Sequence, residues 1–536
     1  MCINIDDNID RICFSLVCKR WYNDRDKYLI FNTDNINLFK LKNTVIFQNY
    51  KQFNLPSYHN IFMKSIQSKT NYTLSYGDYN KYYKNYDYYY DQVENLNSIP
   101  SNVSDIDITY YPHIKNRDNE FKKLYRLISE SQSVTKLNGC STLKYGLPKS
   151  IKSITFYNFN EPLVKGSLPN SLEVLVFDIY FKQELLPGVL PDGLLSLTLN
   201  NYPHEIQAGV FPDGLLSLTL NNYQHEIQAG VLPSTLKCLT LFDVPVKGVL
   251  RYSDESISWE DSVITKCYIP ISWLQAISSL VSLESLDIYI SKYNKDENVF
   301  NLKYLPPNLK FLDITIPSVI LKGTMPTSLK TLNLVDSRFN IDEIFPETLQ
   351  YHFEFFDYEN DRILNFPSNI KIDLLFISGE LRESTISLPS GISSINIFSE
   401  LSNSSSKIIE FGGDEDTDQT CPLTELRLPT FKNGTPKCKL PNTIQHLDIG
   451  NNIINDILHL IPPTLNTLEF SKLSKFNTIP STIKSITNII RRFDSFTRQT
   501  IRKLDDNYSL VCDEIDNQQN FKLVGVNSIA KLSSWS

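Results

Sequence analysis

Two histidines and one acidic run are the groups whose spacing in this chain comes nearest to a chemical site. His204 and His225 hold equivalent places in two nearly identical segments, so both should lie on one ridge, where they could titrate near neutral pH or bind a metal ion. The duplication of the segment is enough to explain why these two histidines occupy equivalent positions. The acidic run at 414–418 suggests calcium, but it lacks the twelve-residue ligand spacing and the central glycine of a calcium loop. We therefore expect no metal site at either place.

Catalytic and cofactor-binding motifs are missing from the sequence. It holds no glycine-rich phosphate loop, H-E-x-x-H helix, nucleophile elbow or paired-cysteine metal spacing. Its 9 cysteines are an odd number without a C-x-x-C pair, which favours reduced thiols over a disulfide framework. We expect a protein that is not an enzyme and needs no cofactor.

The charge balance and hydropathy narrow the choice of partners. The net charge of −8 arises from 60 acidic and 52 basic residues spread along the chain, whereas a nucleic-acid binder should carry a basic domain or stripe. The first residues contain no apolar signal-peptide segment, and no run of about 18 apolar residues occurs. The expectation is a protein of the cytoplasm or nucleus that binds neither nucleic acid nor membrane.

Prolines divide much of the chain into layers of about 21 residues. They recur at 148, 169, 191, 212 and 233, resume at 306, 326, 346, 367 and 389, and return at 441, 462 and 480. Each opens the pattern Φ-P-x-x-Φ-x-x-Φ-x-Φ, where Φ is apolar, although the turns at 346, 367 and 480 depart from it. A fixed period of this length predicts a repeat solenoid.

The spacing within one layer predicts a strand between two corners. The segment Leu197-Thr198-Leu199 alternates with period two, which suits a strand with one buried face. Proline can open such a strand but cannot continue a central one. Glycine can supply the positive φ of the corner three residues before the proline, and it stands there at Gly166, Gly188, Gly209, Gly230 and Gly323. Successive strands should pair in parallel about 4.8 Å apart.

One pair of layers is almost a copy. Residues 191–210 and 212–231 differ only where Pro203 is replaced by Gln224. A tandem duplication of this kind is tolerated where each unit is a self-similar layer that contacts its neighbours.

The layer pattern, followed by a Phe-Asn pair and a Gly-x-Φ-Pro corner, resembles the FNIP repeat. The Phe-Asn pair stands at 159–160 and 339–340, and tyrosine takes the place of its phenylalanine at Tyr202 and Tyr223. The resemblance covers about residues 140–490. It implies a curved, leucine-rich-repeat-like solenoid: a parallel β-sheet of about 21-residue layers with few helices, preceded by a small helical N-terminal region.

The amino-terminal segment resembles the second half of an F-box. Apolar residues at helical spacing precede the string LVCKRWY at 16–22, which is typical of that motif. An F-box docks on the adaptor of a cullin-based, SCF-type ubiquitin ligase, so the resemblance implies a substrate receptor with Ile12, Leu16, Val17 and Trp21 as adaptor-docking candidates. The Leu-Pro opening and the first helix of an F-box do not precede this segment. The alternative is a helix that only caps the array.

These patterns predict five regions along the chain. They are a partial F-box-like helical segment at 1–45, a Tyr- and Asn-rich linker or insert at 46–118, a capping-helix region at 119–140, the FNIP-repeat solenoid at 141–490 with degenerate layers at 251–300 and a loop at 398–425, and a C-terminal cap with a β-hairpin at 491–536.

The expected function is a protein-protein interaction scaffold that binds other proteins, with the SCF substrate receptor as its more specific form. The alternative is a structural or signalling repeat protein with no ubiquitin-ligase link. Binding would use the concave face of the sheet, to which the strand pattern assigns Thr198, Thr219, Thr240, Asp313, Asn333 and Asp448.

Overall fold

The structure is a computed structural model, and its described residues fall into two units. They are residues 8–31, 55–68, 72–77, 97–99, 101, 103–109, 118–243, 271–290, 298–357, 369–378, 385–388, 392–398, 400–401, 408–411, 423–431, 437–438, 440–452, 457–471, 482–492, 495–505, 507–515 and 518–525. The central unit comprises Thr70–Phe353 and Pro367–Ile370, and the terminal unit comprises Met1–Lys69, Glu354–Phe366 and Lys371–Ser536. The acidic run at 414–418 lies outside the described residues.

Among the described residues, three helices open the terminal unit, which confirms the predicted small helical region. They are α1 (Asn8–Ser15), α2 (Lys19–Tyr28) and α3 (Pro56–Ser68). Helix α2 begins after Cys18, whose Sγ accepts a hydrogen bond from the backbone N–H of Trp21 at 3.5 Å. The hydroxyls of Ser15 and Tyr58 lie 2.6 Å apart, so α1 and α3 are joined by a buried hydrogen bond.

The central unit is built from short strands with few helices. Its elements, with the strand β13 that leads out of it, are β1 (Tyr72–Gly77), β2 (Val103–Thr109), α4 (Asp118–Glu130), β3 (Lys136–Cys140), β4 (Ser153–Phe156), β5 (Val174–Phe177), β6 (Ser196–Asn200), β7 (Ser217–Asn221), β8 (Cys238–Phe242), α5 (Ile271–Ser278), β9 (Ser285–Tyr289), β10 (Asn298–Asn301), a 3₁₀ turn (Leu302–Tyr304), β11 (Phe311–Lys322), β12 (Thr331–Arg338), α6 (Ile341–Ile344) and β13 (Tyr351–Asp357).

The strands of the central unit pair in parallel, in the order of a solenoid. Strands β1 to β9 pair consecutively, β9 pairs with β11, and β11 pairs with β12. Strand β10 pairs with the second half of β11. The predicted parallel sheet of stacked layers is confirmed.

The layer proline opens a turn and not the strand itself. In the layer of β6, the backbone N–H of Leu194 donates to the carbonyl of Pro191 at 3.0 Å, and the strand begins only at Ser196. Leu197 and Leu199 are then fully buried, as the alternation predicts. The five predicted corner glycines all have positive φ, between 76° at Gly188 and 96° at Gly323.

Hydroxyl groups join several layers to the layers before them. Ser171, two places after Pro169, donates to the carbonyls of Lys149 at 3.2 Å and Ile151 at 2.8 Å. Ser328 and Thr464 make the same pair of contacts in their layers. The serine or threonine of the repeat pattern therefore gives backbone carbonyls of the preceding layer a hydrogen-bond donor.

An aromatic column runs through successive layers of the central unit. It starts with the phenylalanine of the Phe-Asn pair, continues into helix α5, and has successive ring centroids 6.0–6.5 Å apart; its members are Phe159, Phe181, Tyr202, Tyr223 and Trp273. The Tyr202 and Tyr223 hydroxyls accept backbone N–H groups of Leu185 at 2.7 Å and Ile206 at 2.8 Å. Tyrosine thus keeps the packing of phenylalanine and adds a layer-to-layer hydrogen bond.

Regular structure also begins before the predicted start of the layers. The segment 46–118, expected as a linker or insert, contains α3, β1 and β2. Strand β2 pairs with β3, so it belongs to the central sheet. Its buried residues Val103, Ile106 and Ile108 follow the spacing of the repeat pattern.

The remaining strands belong to the terminal unit. They are β14 (Ile370–Ser378), β15 (Thr385–Leu388), β16 (Ser394–Phe398), β17 (Glu400–Leu401), β18 (Ile408–Phe411), β19 (Glu425–Arg427), β20 (Thr430–Phe431), β21 (Lys437–Cys438), β22 (His446–Asp448), β23 (Thr467–Phe470), β24 (Ser485–Arg492), β25 (Ser495–Lys503), β26 (Tyr508–Ile515) and β27 (Gln518–Gly525), with a 3₁₀ turn at Leu458–Leu460.

The terminal unit changes from parallel to antiparallel pairing. Strands β14, β16, β19, β22, β23 and β24 pair in parallel, and β24 to β27 form an antiparallel series where a hairpin was expected. Strands β17 and β18 stand inside the segment 398–425 that was expected to be a loop, and both pair in parallel with later strands.

Candidate interaction surface

The outward face of the central sheet carries a row of polar side chains in register, which we call the central ladder. Each member is half-buried, and every member except Asn138 stands between two buried neighbours, as Thr198 does between Leu197 and Leu199. All members but Val176 are polar; in strand order they are Asp107, Asn138, Thr155, Val176, Thr198, Thr219, Thr240, Asp287, Asp313 and Asn333.

Five of the six residues assigned to the binding face lie in this one row. Thr198, Thr219, Thr240, Asp313 and Asn333 occupy equivalent positions on five strands. The sixth, Asp448, belongs to the terminal unit and is described separately below.

The pattern of prolines did not point to Asp287, although it belongs to the same row. Its layer has Leu280 where other layers have proline, yet Leu283, Leu286 and Ile288 keep the apolar spacing and are fully buried. The feature of the sequence that identifies this layer is therefore the apolar spacing, which persists where the proline is absent.

Two carboxylates occupy neighbouring positions in the central ladder. Asp287 on β9 and Asp313 on β11 are partners in register on neighbouring strands. Burial, followed by the charge of Asp313, raises the pKa of Asp287 to about 6. Burial also raises the pKa of Asp313, although hydrogen bonds from Asn333 and Thr315 oppose the shift.

An aromatic pair borders these carboxylates, with Phe242 exposed and Tyr289 half-buried. Phe242 and Tyr289 are partners in register on β8 and β9, and their rings stack with centroids 4.3 Å apart and planes at 8°. Tyr289 follows Asp287 by two residues, so both side chains lie on the same face of β9. We call Phe242, Tyr289, Asp287 and Asp313 the acidic–aromatic patch.

Asparagine side chains in the duplicated layers form a chain of hydrogen bonds. The Asn221 amide donates to the Oδ1 of Asn200 at 2.6 Å, and the Asn200 amide donates to the carbonyl of Phe177 at 2.5 Å. This part of the outward face is an ordered amide row beside the threonines of the ladder.

A second row of residues in register occupies the outward face of the terminal unit, and we call it the terminal ladder. It consists of Phe376, Asn396, Arg427, Asp448, Glu469 and Thr487. Asp448 is 7% exposed; its carboxylate accepts hydrogen bonds from Arg427 at 2.5 Å and from the Gly450 N–H at 2.7 Å. Burial and the charge of Asp448 raise the pKa of neighbouring Glu469.

Arg427 of the terminal ladder is held on two sides. Its guanidinium carbon lies 3.7 Å from the centroid of the Phe398 ring, while its Nη1 bonds Asp448. Phe398 itself is an exposed side chain at the end of β16. An aromatic face and a carboxylate thus bind one guanidinium on the surface of this sheet.

The four adaptor-docking candidates divide into a buried and an exposed set. Ile12 is 1% exposed and belongs to the core of the terminal unit. Leu16, Val17 and Trp21 are exposed by 38%, 69% and 37%, and the Trp21 ring stacks on Phe14 with centroids 4.5 Å apart.

His204 and His225 lie on one ridge, each against the preceding layer. The Nε2 atom of His204 lies 2.8 Å from the carbonyl of Lys182, and that of His225 lies 2.8 Å from the carbonyl of Pro203. Within the described residues, no three His, Cys, Asp or Glu side chains form a group suited to a metal ion. None of the helices described is long and apolar enough to span a membrane.

Comparison with known proteins supports the repeat assignment for part of the central unit. Residues 141–178, 159–202 and 202–243 match the family model described as FNIP Repeat. No curated protein matches the chain. Among solved structures, the chain is similar to CroV588, described as a novel circular LRR protein, with 20% identity and a TM-score of 0.42. That match covers 73% of this chain and 60% of the CroV588 chain.

Proposed function

We propose that this chain is a protein-protein interaction scaffold and that the central ladder is its binding face. The supporting observation is the row of half-exposed, chemically varied polar side chains on strands held in register. A rigid sheet presents these groups without the entropy cost of ordering a loop, which favours recognition of a partner surface. Repeat solenoids use surfaces of this kind for binding.

A charge change within one layer tests this proposal. The full-length chain is used to isolate partners from cells, beside Thr219→Lys in the ladder and Gln228→Lys at the exposed corner of the same layer. The proposal expects partners that are lost with Thr219→Lys and retained with Gln228→Lys. Recovery of the same proteins with both variants would exclude the ladder as the binding face.

A second function, docking on the adaptor of a cullin-based ubiquitin ligase, is favoured by the exposed apolar residues of the F-box-like segment. Leu16, Val17 and Trp21 are accessible, whereas Ile12 is engaged in the core. We therefore propose that docking would use the three exposed residues. A structural or signalling repeat protein without a ligase link is the alternative.

A single charged substitution separates these two functions. Purified adaptor is tested for binding to the immobilised chain, to Val17→Asp and to Asn23→Asp, since position 23 is also exposed and lies on α2. The receptor function predicts binding that Val17→Asp abolishes and Asn23→Asp preserves. If the unmodified chain does not bind the adaptor, the receptor function is wrong and the alternative stands.

A further inference from the structure

The acidic–aromatic patch brings negative charge and exposed π surface together. The Phe242 side chain is 41% exposed although its ring stacks on Tyr289. Asp287 and Asp313 stand one row away on the same outward face. A surface that combines a ring face with carboxylates is complementary to a cation and repels an anion.

The carboxylates of the patch lack a cation among the described residues. From the part of the chain that the structure describes, Asp313 accepts hydrogen bonds only from the neutral groups of Thr315 and Asn333. For Asp287, burial and the neighbouring Asp313 charge raise the pKa, and no described basic group opposes them. A bound cation would relieve the repulsion between the two carboxylates and replace lost hydration.

The terminal ladder shows which cation such a combination holds. Arg427 lies over the Phe398 ring and donates to Asp448, with Phe398 two residues beyond the ladder row. In the acidic–aromatic patch, Phe242 and Tyr289 occupy that same place relative to the row of Asp287 and Asp313. The ring and the carboxylates are present there, and the guanidinium is not supplied by a described residue.

We propose that the acidic–aromatic patch binds the guanidinium of an arginine in an extended segment of a protein partner. This inference rests on the proposed scaffold function and names the chemistry that part of the central ladder recognises. Arginine suits the patch better than lysine because its planar guanidinium can stack on a ring while its edge donates to carboxylates. The unmatched negative charge also argues against an acidic segment as the occupant.

Binding of two short peptides to the full-length chain tests the proposal. The probes are dye-labelled Gly-Arg-Gly-Arg-Gly-Arg and its lysine counterpart, measured by fluorescence anisotropy at low and physiological salt. Asp287→Asn/Asp313→Asn should weaken arginine-peptide binding about tenfold. Asp192→Asn/Asp213→Asn is the matched control, because it removes the same charge from two exposed turn residues and should leave binding unchanged.

The aromatic pair is tested separately from the charge. Phe242→Ala should reduce the preference for the arginine peptide over the lysine peptide, since lysine gains less from a ring face. Equal losses in the two double-asparagine variants, or equal affinity of the unmodified chain for both peptides, would overturn the proposal. Thermal unfolding of each variant confirms that a loss of binding is not a loss of fold.

Failure of the arginine-site proposal can be distinguished from failure of the scaffold function. If cellular partners are lost with Thr219→Lys but retained in full with Asp287→Asn/Asp313→Asn, the ladder is a binding face and the arginine site is wrong. If no variant of the ladder changes partner recovery, the scaffold function itself fails.

Discussion

Asp10 in helix α1 and Arg502 in strand β25 form an ion pair across 492 positions of the sequence, with Nε and Oδ1 2.8 Å apart. The Arg502 guanidinium also donates to the hydroxyl of Ser485 on β24. Helix α1 is therefore attached to the antiparallel strands β24 and β25 of the terminal unit. Within the terminal unit, the face of α1 that carries Ile9 and Ile12 serves packing.

Loss of this ion pair should weaken the terminal unit. We expect Arg502→Ala to lower the free energy of unfolding by about 1 kcal/mol, because the pair is partly exposed and one hydrogen bond is lost with it. Chemical denaturation of the full chain measures the change. Lys27→Ala is the control, since Lys27 and Asp24 form a far more exposed pair within one helix, and it should have almost no effect. A double-mutant cycle with Asp10→Ala that shows no coupling would contradict this role.

The hydroxyl groups that link layers should each contribute measurable stability. Ser328→Ala removes hydrogen bonds to the carbonyls of Pro307 and Leu309, and we expect a loss of about 1 kcal/mol. Ser129→Ala is the matched control because, among the described residues, its hydroxyl makes only an exposed hydrogen bond to the Arg126 carbonyl within its own helix. Equal unfolding midpoints for the two variants would show that the hydroxyl row adds nothing to layer stacking.

The apolar spacing of the layers could be predicted from the sequence because it is local and repeats. The same spacing could have extended the sheet upstream: Ile99-Pro100 and then Val103, Ile106 and Ile108 complete the full pattern in the segment that was expected to be a linker. The series of prolines that begins at residue 148 does not include this layer or the Asp107 that it contributes to the central ladder.

The contacts that decide which candidates are accessible could not be predicted in the same way. The pairing of Asp10 and the contact of α1 with β26 depend on strands almost 500 residues later, and no local period encodes such a contact. Asp448 lies in register in the terminal ladder, yet its carboxylate is occupied by Arg427. Alternation predicts the face of a strand, whereas the neighbouring layer determines whether a side chain on that face is free.

The hydroxyl groups of the tyrosines in the aromatic column should contribute to the stability of the fold. Tyr223→Phe leaves the buried N–H of Ile206 without its acceptor, which should cost about 1–2 kcal/mol. Tyr202→Phe removes the equivalent bond to Leu185 and should cost a similar amount. Tyr157→Phe, at an exposed position, is the control and should unfold with the unmodified chain. Unchanged stability in all three variants would contradict the layer-to-layer role of the hydroxyl.

Asp287 should make the stability of the central unit depend on pH. Its pKa in the folded chain is about 6, above the ordinary value of 3.8, because burial and Asp313 disfavour its charge. The folded state therefore holds its proton to higher pH than the unfolded state does. Between about pH 4 and 6 this residue makes the free energy of unfolding fall as pH rises, and the penalty is complete above its folded pKa.

Asp287→Asn should remove this penalty, since asparagine carries no charge at any of these pH values. We expect the variant to unfold at a higher temperature than the unmodified chain at pH 7.5, and the difference to shrink towards zero near pH 4. Asp192→Asn, at an exposed turn position, should give no such pH-dependent gain. An Asp287→Asn variant that is less stable at pH 7.5 would mean that the carboxylate has a favourable partner, and the cation proposed for the patch would then have a competitor within the chain.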